Sequence, residues 1–180
     1  MQPARAVGVT ILVAAMVCLP AAASARTARA IVDAVVEANQ AWQKVNLRLR
    51  GHGVLHFQTR GQWVFNPAQP PVGGDGAQNL PTAGRTSYTF SGPQGREGQL
   101  IGKIGRQMPF VAGARGVHKV RQREIGPLYL MVNDDYKASI GAGLADNSGH
   151  LTVTVEFERP RLTRHRSPCV FAIFGCQPNP

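Results

Sequence analysis

The stretch Leu151-Thr-Val-Thr-Val-Glu-Phe-Glu158 decides the fold. Leu151, Val153, Val155 and Phe157 alternate strictly with Thr152, Thr154, Glu156 and Glu158. Successive side chains of a strand point to opposite faces, so this period puts the apolar set in a core and the polar set in water. The same pattern recurs upstream, with Val45, Leu47 and Leu49 set against Asn46, Arg48 and Arg50. It recurs again with Leu55, Phe57 and Thr59 against His56, Gln58 and Arg60. Tyr88-Thr89-Phe90, Leu100 to Ile104 and Leu128 to Val132 read as further short strands. One wet face and one dry face mark antiparallel sheets. Gly51-His52-Gly53, Pro70-Pro-Val-Gly-Gly-Asp-Gly76 and Asn147-Ser-Gly149 separate the apolar runs with turn residues. Together these features predict an all-β protein, an antiparallel β-sandwich. Ala30 to Ala38 stays open. Ala, Glu and the shared face of Ile31, Val35 and Ala38 suit a helix, whereas its β-branched content and brevity suit a first strand.

Composition agrees with a single sandwich. A chain of 180 residues is the size of one domain, at roughly 100–200 residues each. Hydrophobic residues make up 43% and charged ones 17%, so a packed core can form and wholesale disorder is excluded. The 20 Gly and 13 Pro favour many turns over long helices. There is no G-X-Y period, no sustained heptad and no second long apolar run, which excludes a collagen, a coiled coil and a polytopic membrane protein. The formal net charge is +10, which invites a polyanionic partner.

Residues 1–25 read as a signal peptide: Arg5 is the positive start, Val7 to Leu19 the apolar core, and Ala23-Ser24-Ala25 the small-residue cleavage site. The expected location is therefore periplasmic or secreted. Cleavage removes Arg5 and Cys18, leaving Cys169 and Cys176 as a pair that an oxidising compartment would join in a disulfide. Zinc held with His165 is the alternative, and no fourth ligand stands nearby. Residues 161–180 form a basic linker, Arg161 to Arg166, followed by this Cys-containing tail.

Catalytic constellations are hard to assemble, and an enzyme is not expected. His52, His56, His118, His150 and His165 are scattered, and none stands beside a Ser or Cys in a nucleophile context. Glu156 and Glu158 have a glycosidase's pair of carboxylates, but they fall on the polar face of a clean strand. Gly141-Ala142-Gly143 lacks the lysine and helix of a phosphate loop. The unusual segment is Asn133 to Gly149, where Asp134, Asp135 and Asp146 meet a single base, Lys137. Clustered Asp and Asn oxygens on a glycine-bearing loop suit a hard cation such as Ca²⁺, and they equally suit plain turn capping.

An ordered set of motifs also carries a family resemblance. Val36-Glu-Ala-Asn-Gln-Ala-Trp42, Leu47-Arg-Leu-Arg-Gly51 and Gly61-Gln-Trp63 come first. Gly92-Pro-Gln-Gly95, Leu100-Ile-Gly-Lys-Ile-Gly105, Leu128-Tyr-Leu-Met-Val-Asn-Asp134 and Asp146-Asn-Ser-Gly149 follow. This set resembles the LecA-type (PA-IL-like) bacterial galactophilic lectins from Val32 to Glu158. The resemblance implies a jelly-roll-like sandwich of the galactose-binding-lectin type over residues 26–160, with homo-oligomers. It also implies a Ca²⁺ cofactor that takes two vicinal hydroxyls of a sugar. Carried over by position, Asp134 would anchor the cation, Asp146 and Asn147 would add side-chain oxygens, and Asn66 would offer its carbonyl. Asp134, Asn147 and Gln94 would meet the sugar. The chain departs from that family in two places. Its loop from Asp134 to Asp146 is longer, with Gly143 nearest the family's threonine ligand, and Arg96-Glu-Gly-Gln99 lacks the sugar-contacting histidine, so galactose itself is not implied.

Two functions compete at this level. One is an exported carbohydrate-binding protein, calcium-assisted through Asp134, Asp146 and Asn147. The alternative is an envelope protein whose Arg48, Arg50, Arg60 and Arg161–Arg166 segment hold anionic polysaccharide or lipid headgroups without metal. A polysaccharide-processing enzyme, the third class, lacks an acid/base pair, and nucleic acid is disfavoured by export and by bases on polar strand faces without interleaved aromatics.

Overall fold

A computed structural model of the chain describes residues 28–139 and 141–159. The signal-peptide reading, the Arg161–Arg166 linker, His165 and the Cys169–Cys176 pair all lie outside the described residues. The strands are β1 (Ala28–Glu37), β2 (Gln43–Arg50), β3 (Gly53–Val64), β4 (Leu100–Ile104), β5 (Phe110–Val111), β6 (Val117–Val120), β7 (Ile125–Val132) and β8 (Ser148–Arg159). They form a β-sandwich of two four-stranded sheets, ordered β1-β8-β3-β6 and β2-β7-β4-β5, with every pairing antiparallel. Only the β4–β5 connection stays within one sheet, so the chain wraps from layer to layer as it proceeds.

The alternation that identified β8 sets its place. Leu151, Val153 and Val155 are fully buried and Phe157 nearly so, packed with Leu55, Phe57 and Trp63 of β3 and Leu49 of β2. Side chains of this size contribute about 1.5–3 kcal/mol each when removed from water. On the outer face, Glu156 pairs with Arg29 and Glu158 lies 3.9 Å from His56. The open question over Ala30 to Ala38 resolves as a strand. β1 runs in continuous register with β8, from Ala28 opposite Arg159 to Glu37 opposite His150. A ladder of that length outweighs the weak helical preference of a short β-branched segment.

Two expectations need correction. Tyr88-Thr89-Phe90 is not a strand. Phe90 has both backbone groups bound by one side chain, the amide of Asn133, which takes the place of a neighbouring strand. Asn147-Ser-Gly149 is not a free turn either, because Ser148 and Gly149 already pair with Val64 and Trp63 of β3. Gly149 has φ +81°, and a Cβ there would sit 3.0 Å from the Gln62 carbonyl oxygen, so the strand can begin this tightly only with glycine.

The long connection between β3 and β4 folds over one sheet. Ile101 and Met131 face each other across β4 and β7 and are fully buried, although their neighbours Leu100, Leu130 and Val132 point the other way, into the sandwich. Asn133 continues the outward row of Met131 and is itself wholly buried. Its Oδ1 accepts the Phe90 N–H at 2.9 Å. Its Nδ2 is within reach of the Phe90 carbonyl at 3.0 Å, the Arg96 carbonyl at 3.0 Å and Thr82 Oγ1 at 3.2 Å. One amide thus holds three points of the connection against the sheet.

Asn133→Leu keeps the volume and strands those groups without a partner. We expect it to cost about 3 kcal/mol in urea denaturation, since each dry unsatisfied group costs about 1–3 kcal/mol. Arg60→Ala, on an exposed outer face, should stay within about 0.5 kcal/mol. Equal effects of the two would contradict the clamp.

Candidate functional site

The segment from Asn133 to Asn147 leaves β7 in one sheet and enters β8 in the other, across one end of the sandwich. It turns at Asp135, whose carbonyl accepts the Ala138 N–H at 2.8 Å, and later winds into a short 3-10 helix, Gly143–Asp146. Gly143 has φ +61°, and a Cβ there would come within 2.6 Å of the Asp135 carbonyl oxygen. The loop therefore closes on itself with no room for a side chain, and a threonine in this position has no place.

That closure gathers acids. A cavity of about 100 Å³ is lined by Asn66, Tyr88, Glu97, Asp134, Asp135 and Asp146 among others. Four of the chain's 10 acidic residues thus face one small space in a protein of net charge +10. Asp134 is buried on its wall. Its Oδ1 accepts the Asp135 N–H at 2.7 Å, and its Oδ2 accepts from Asn147 Nδ2 at 2.9 Å. Asn147 Nδ2 also reaches the Ala38 carbonyl at 3.1 Å, which ties the loop to the end of β1. Asn147 Oδ1, the other end of that amide, is buried with no hydrogen-bond partner.

Burial pushes the Asp134 carboxyl up to about 6, from an ordinary 3.8. Bonds from Asn147 and the Asp135 N–H oppose that rise, while the nearby charges of Asp146 and Glu97 add to it. Glu97 is compensated by Arg85, whose guanidinium also lies 4.4 Å from the Tyr88 ring centroid. Burial raises the Tyr88 hydroxyl well above its usual range, and its hydrogen bond with Glu97 raises it further.

Of the residues singled out from sequence, Asn66, Asp134 and Asp146 line this cavity, and Asn147 touches it through Asp134. The Asn66 carbonyl already accepts one hydrogen bond, from the Gln69 N–H at 2.9 Å, and its Oδ1 accepts the Ala68 N–H at 2.9 Å. The carbonyl keeps a second lone pair. Gln94 is exposed and lines a different cavity, with Pro81, Arg96 and Gln99. Glu97 and Tyr88 carry no sequence signal of their own, and Asp135 belongs to the acidic cluster without an assigned ligand role. Asp135 sat in view beside Asp134, but Glu97 reaches the site only because the long connection folds back. Among the described residues, no three His, Cys, Asp or Glu side chains are close enough together to hold a metal ion by themselves. A cation here would need amide and backbone oxygens as well.

The raised Asp134 pKa has a stability consequence. A carboxyl whose folded pKa exceeds its unfolded value costs nothing below about 4, costs more as pH rises toward 6, and then stays constant. In metal-free buffer, wild type should lose roughly 2 kcal/mol relative to Asp134→Asn between pH 4 and pH 7, allowing for solvent at the cavity mouth. Urea denaturation at both pH values measures it, and a pH-independent difference between the two proteins would refute it.

No family model matches the chain, and no curated protein matches it either.

Proposed function

We propose that the chain is an exported carbohydrate-binding protein that grips its sugar through a calcium ion at the Asp134 cavity. The observation that carries this reading is the gathering of Asp134, Asp146 and Asn66 on one small cavity, with the Asp134 carboxylate held from behind by Asn147 Nδ2. The donor set is all oxygen, carboxylate and carbonyl, which is what a hard cation with 6–8 ligands selects.

Each residue then has a task. Asp134 supplies the anchoring charge, and Asn147 positions it by donating Nδ2 to its Oδ2. Asp146, at the last position of the 3-10 helix, supplies a second carboxylate, and the Asn66 carbonyl offers a neutral oxygen. When bound, the cation would supply a coordination point for two vicinal sugar hydroxyls. Proton and cation compete for Asp134, so affinity should fall as pH drops below about 6. The resemblance in motif order to galactophilic lectins points the same way.

Ca²⁺ at a hundred times its Kd should add about 2.7 kcal/mol to unfolding. Asp134→Ala and Asp146→Ala should each abolish that gain. A glycan panel read with and without chelator should give sugar binding only in the presence of Ca²⁺. No calcium effect on stability, or glycan binding untouched by chelator, would overturn the reading.

A further inference from the structure

A second cavity, of about 520 Å³, adjoins the acidic one, and Tyr88 lines both. Four connections contribute to it: Trp42 after β1, Tyr88 before β4, Gln107 after β4 and Tyr136 after β7, together with Lys103 from β4 itself. Its character is the reverse of its neighbour's. None of its lining residues is an Asp or Glu, and its two charged residues are Lys103 and Lys137.

Lys103 is the unusual member. Its Nζ lies 4.0 Å from the Trp42 ring centroid and 5.6 Å from that of Tyr129, so aromatic faces hold the ammonium in place. Among the described residues it forms no ion pair. Partial burial lowers its pKa. Trp42 has φ +22°, a conformation bulky residues avoid and one that concentrates at binding sites. The chain thus holds an indole and an uncompensated ammonium at one cavity wall, beside the hydroxyls of Thr86, Ser87 and Ser139. Rings to lie against the C–H face of a sugar, hydroxyls to meet its own and a cation awaiting an anion together describe one class of ligand.

We propose that the Trp42–Lys103 cavity takes the anionic unit of an acidic saccharide, its carboxylate on the Lys103 ammonium and its pyranose ring beside Trp42 and Tyr136, while the next unit reaches past Tyr88 to the Asp134 cavity. This deepens the carbohydrate reading and rests on it. The two cavities nevertheless answer to different reagents, calcium for one and ligand charge for the other.

The test is calorimetric titration of the full chain with a short oligouronide and with its carboxyl-reduced, neutral counterpart, in Ca²⁺ and in chelator. The oligouronide should bind roughly tenfold more tightly than the neutral sugar, as a charge pair at a partly buried site implies. Lys103→Met should bring the two ligands within about twofold, and Lys103→Arg should restore the preference. Trp42 fluorescence should respond to the oligouronide, and Trp42→Phe, which leaves only the buried Trp63, should lose the response. Equal affinity for both ligands would overturn the proposal, as would a preference unchanged in Lys103→Met. Neutral sugar bound as tightly as oligouronide, and only with Ca²⁺, would overturn it while the Asp134 reading stood. A uronide preference that persists in chelator without any calcium effect would support it and remove the calcium reading alone.

Discussion

The side-chain amide of Asn133 pins the long β3–β4 connection to the end of β7. It stands where β7 ends, wholly buried, and its hydrogen bonds reach Thr82, Phe90 and Arg96 of the long connection. Its backbone adds two more, to Gln99 at 2.7 Å and from Gly98 at 3.0 Å. An irregular segment has no ladder of its own to satisfy its peptide groups, so it can lie on a sheet only where side chains replace one. With the segment held, Ile101 and Met131 are dry on a face that would otherwise meet water. Glu97 and Tyr88 are also carried to the β7–β8 loop, where they complete the walls of the acidic cavity. The position of the site follows from the clamp, because Asp134 is the residue next to it.

What could be read from the sequence divides along the same line. β2, β3 and β8 announce themselves because each has one dry face and one wet face, and a period of two is the direct image of that environment. Leu100-Ile101 and Leu130-Met131-Val132 break the alternation with adjacent apolar residues. That break is the sequence mark of a sheet covered on both sides, and it foreshadowed a layer over β4 and β7. The covering segment itself leaves no periodic trace. Its residues are fixed by turns and by side-chain bonds to backbone, which can be made at any spacing. Tyr88-Thr89-Phe90 has strand-like composition and yet no strand neighbour, so propensity misread it.

The site was legible in part for a related reason. Asp134, Asp146 and Asn147 lie on one connection, and a cluster of acids in a basic chain is visible without any fold. Asn66 and Glu97 come from the far ends of the β3–β4 connection, and only the tertiary return of the chain brings them in. Gln94 shows the converse. Three residues from Glu97, it nonetheless faces a separate cavity, which it shares with Arg96.

The overall charge of the chain is a poor guide to what its cavities attract. At physiological salt, fields between exposed charges fade over about 8 Å, so bases on distant strand faces contribute little inside a cavity. Within the acidic cavity the near neighbours decide, and there Asp134, Asp135, Asp146 and Glu97 come together, with Arg85 paired to Glu97. Across Tyr88 the balance inverts, with two lysines and no acid. A surface with a single sign would gather any counter-ion. A boundary between two signs, spanned by one aromatic ring, instead suits a ligand that is itself divided, with hydroxyls at one end and a negative charge at the other. Selectivity of that kind comes from rejecting partners that leave either pole unmatched, since an unpaired buried charge costs more than a paired one returns.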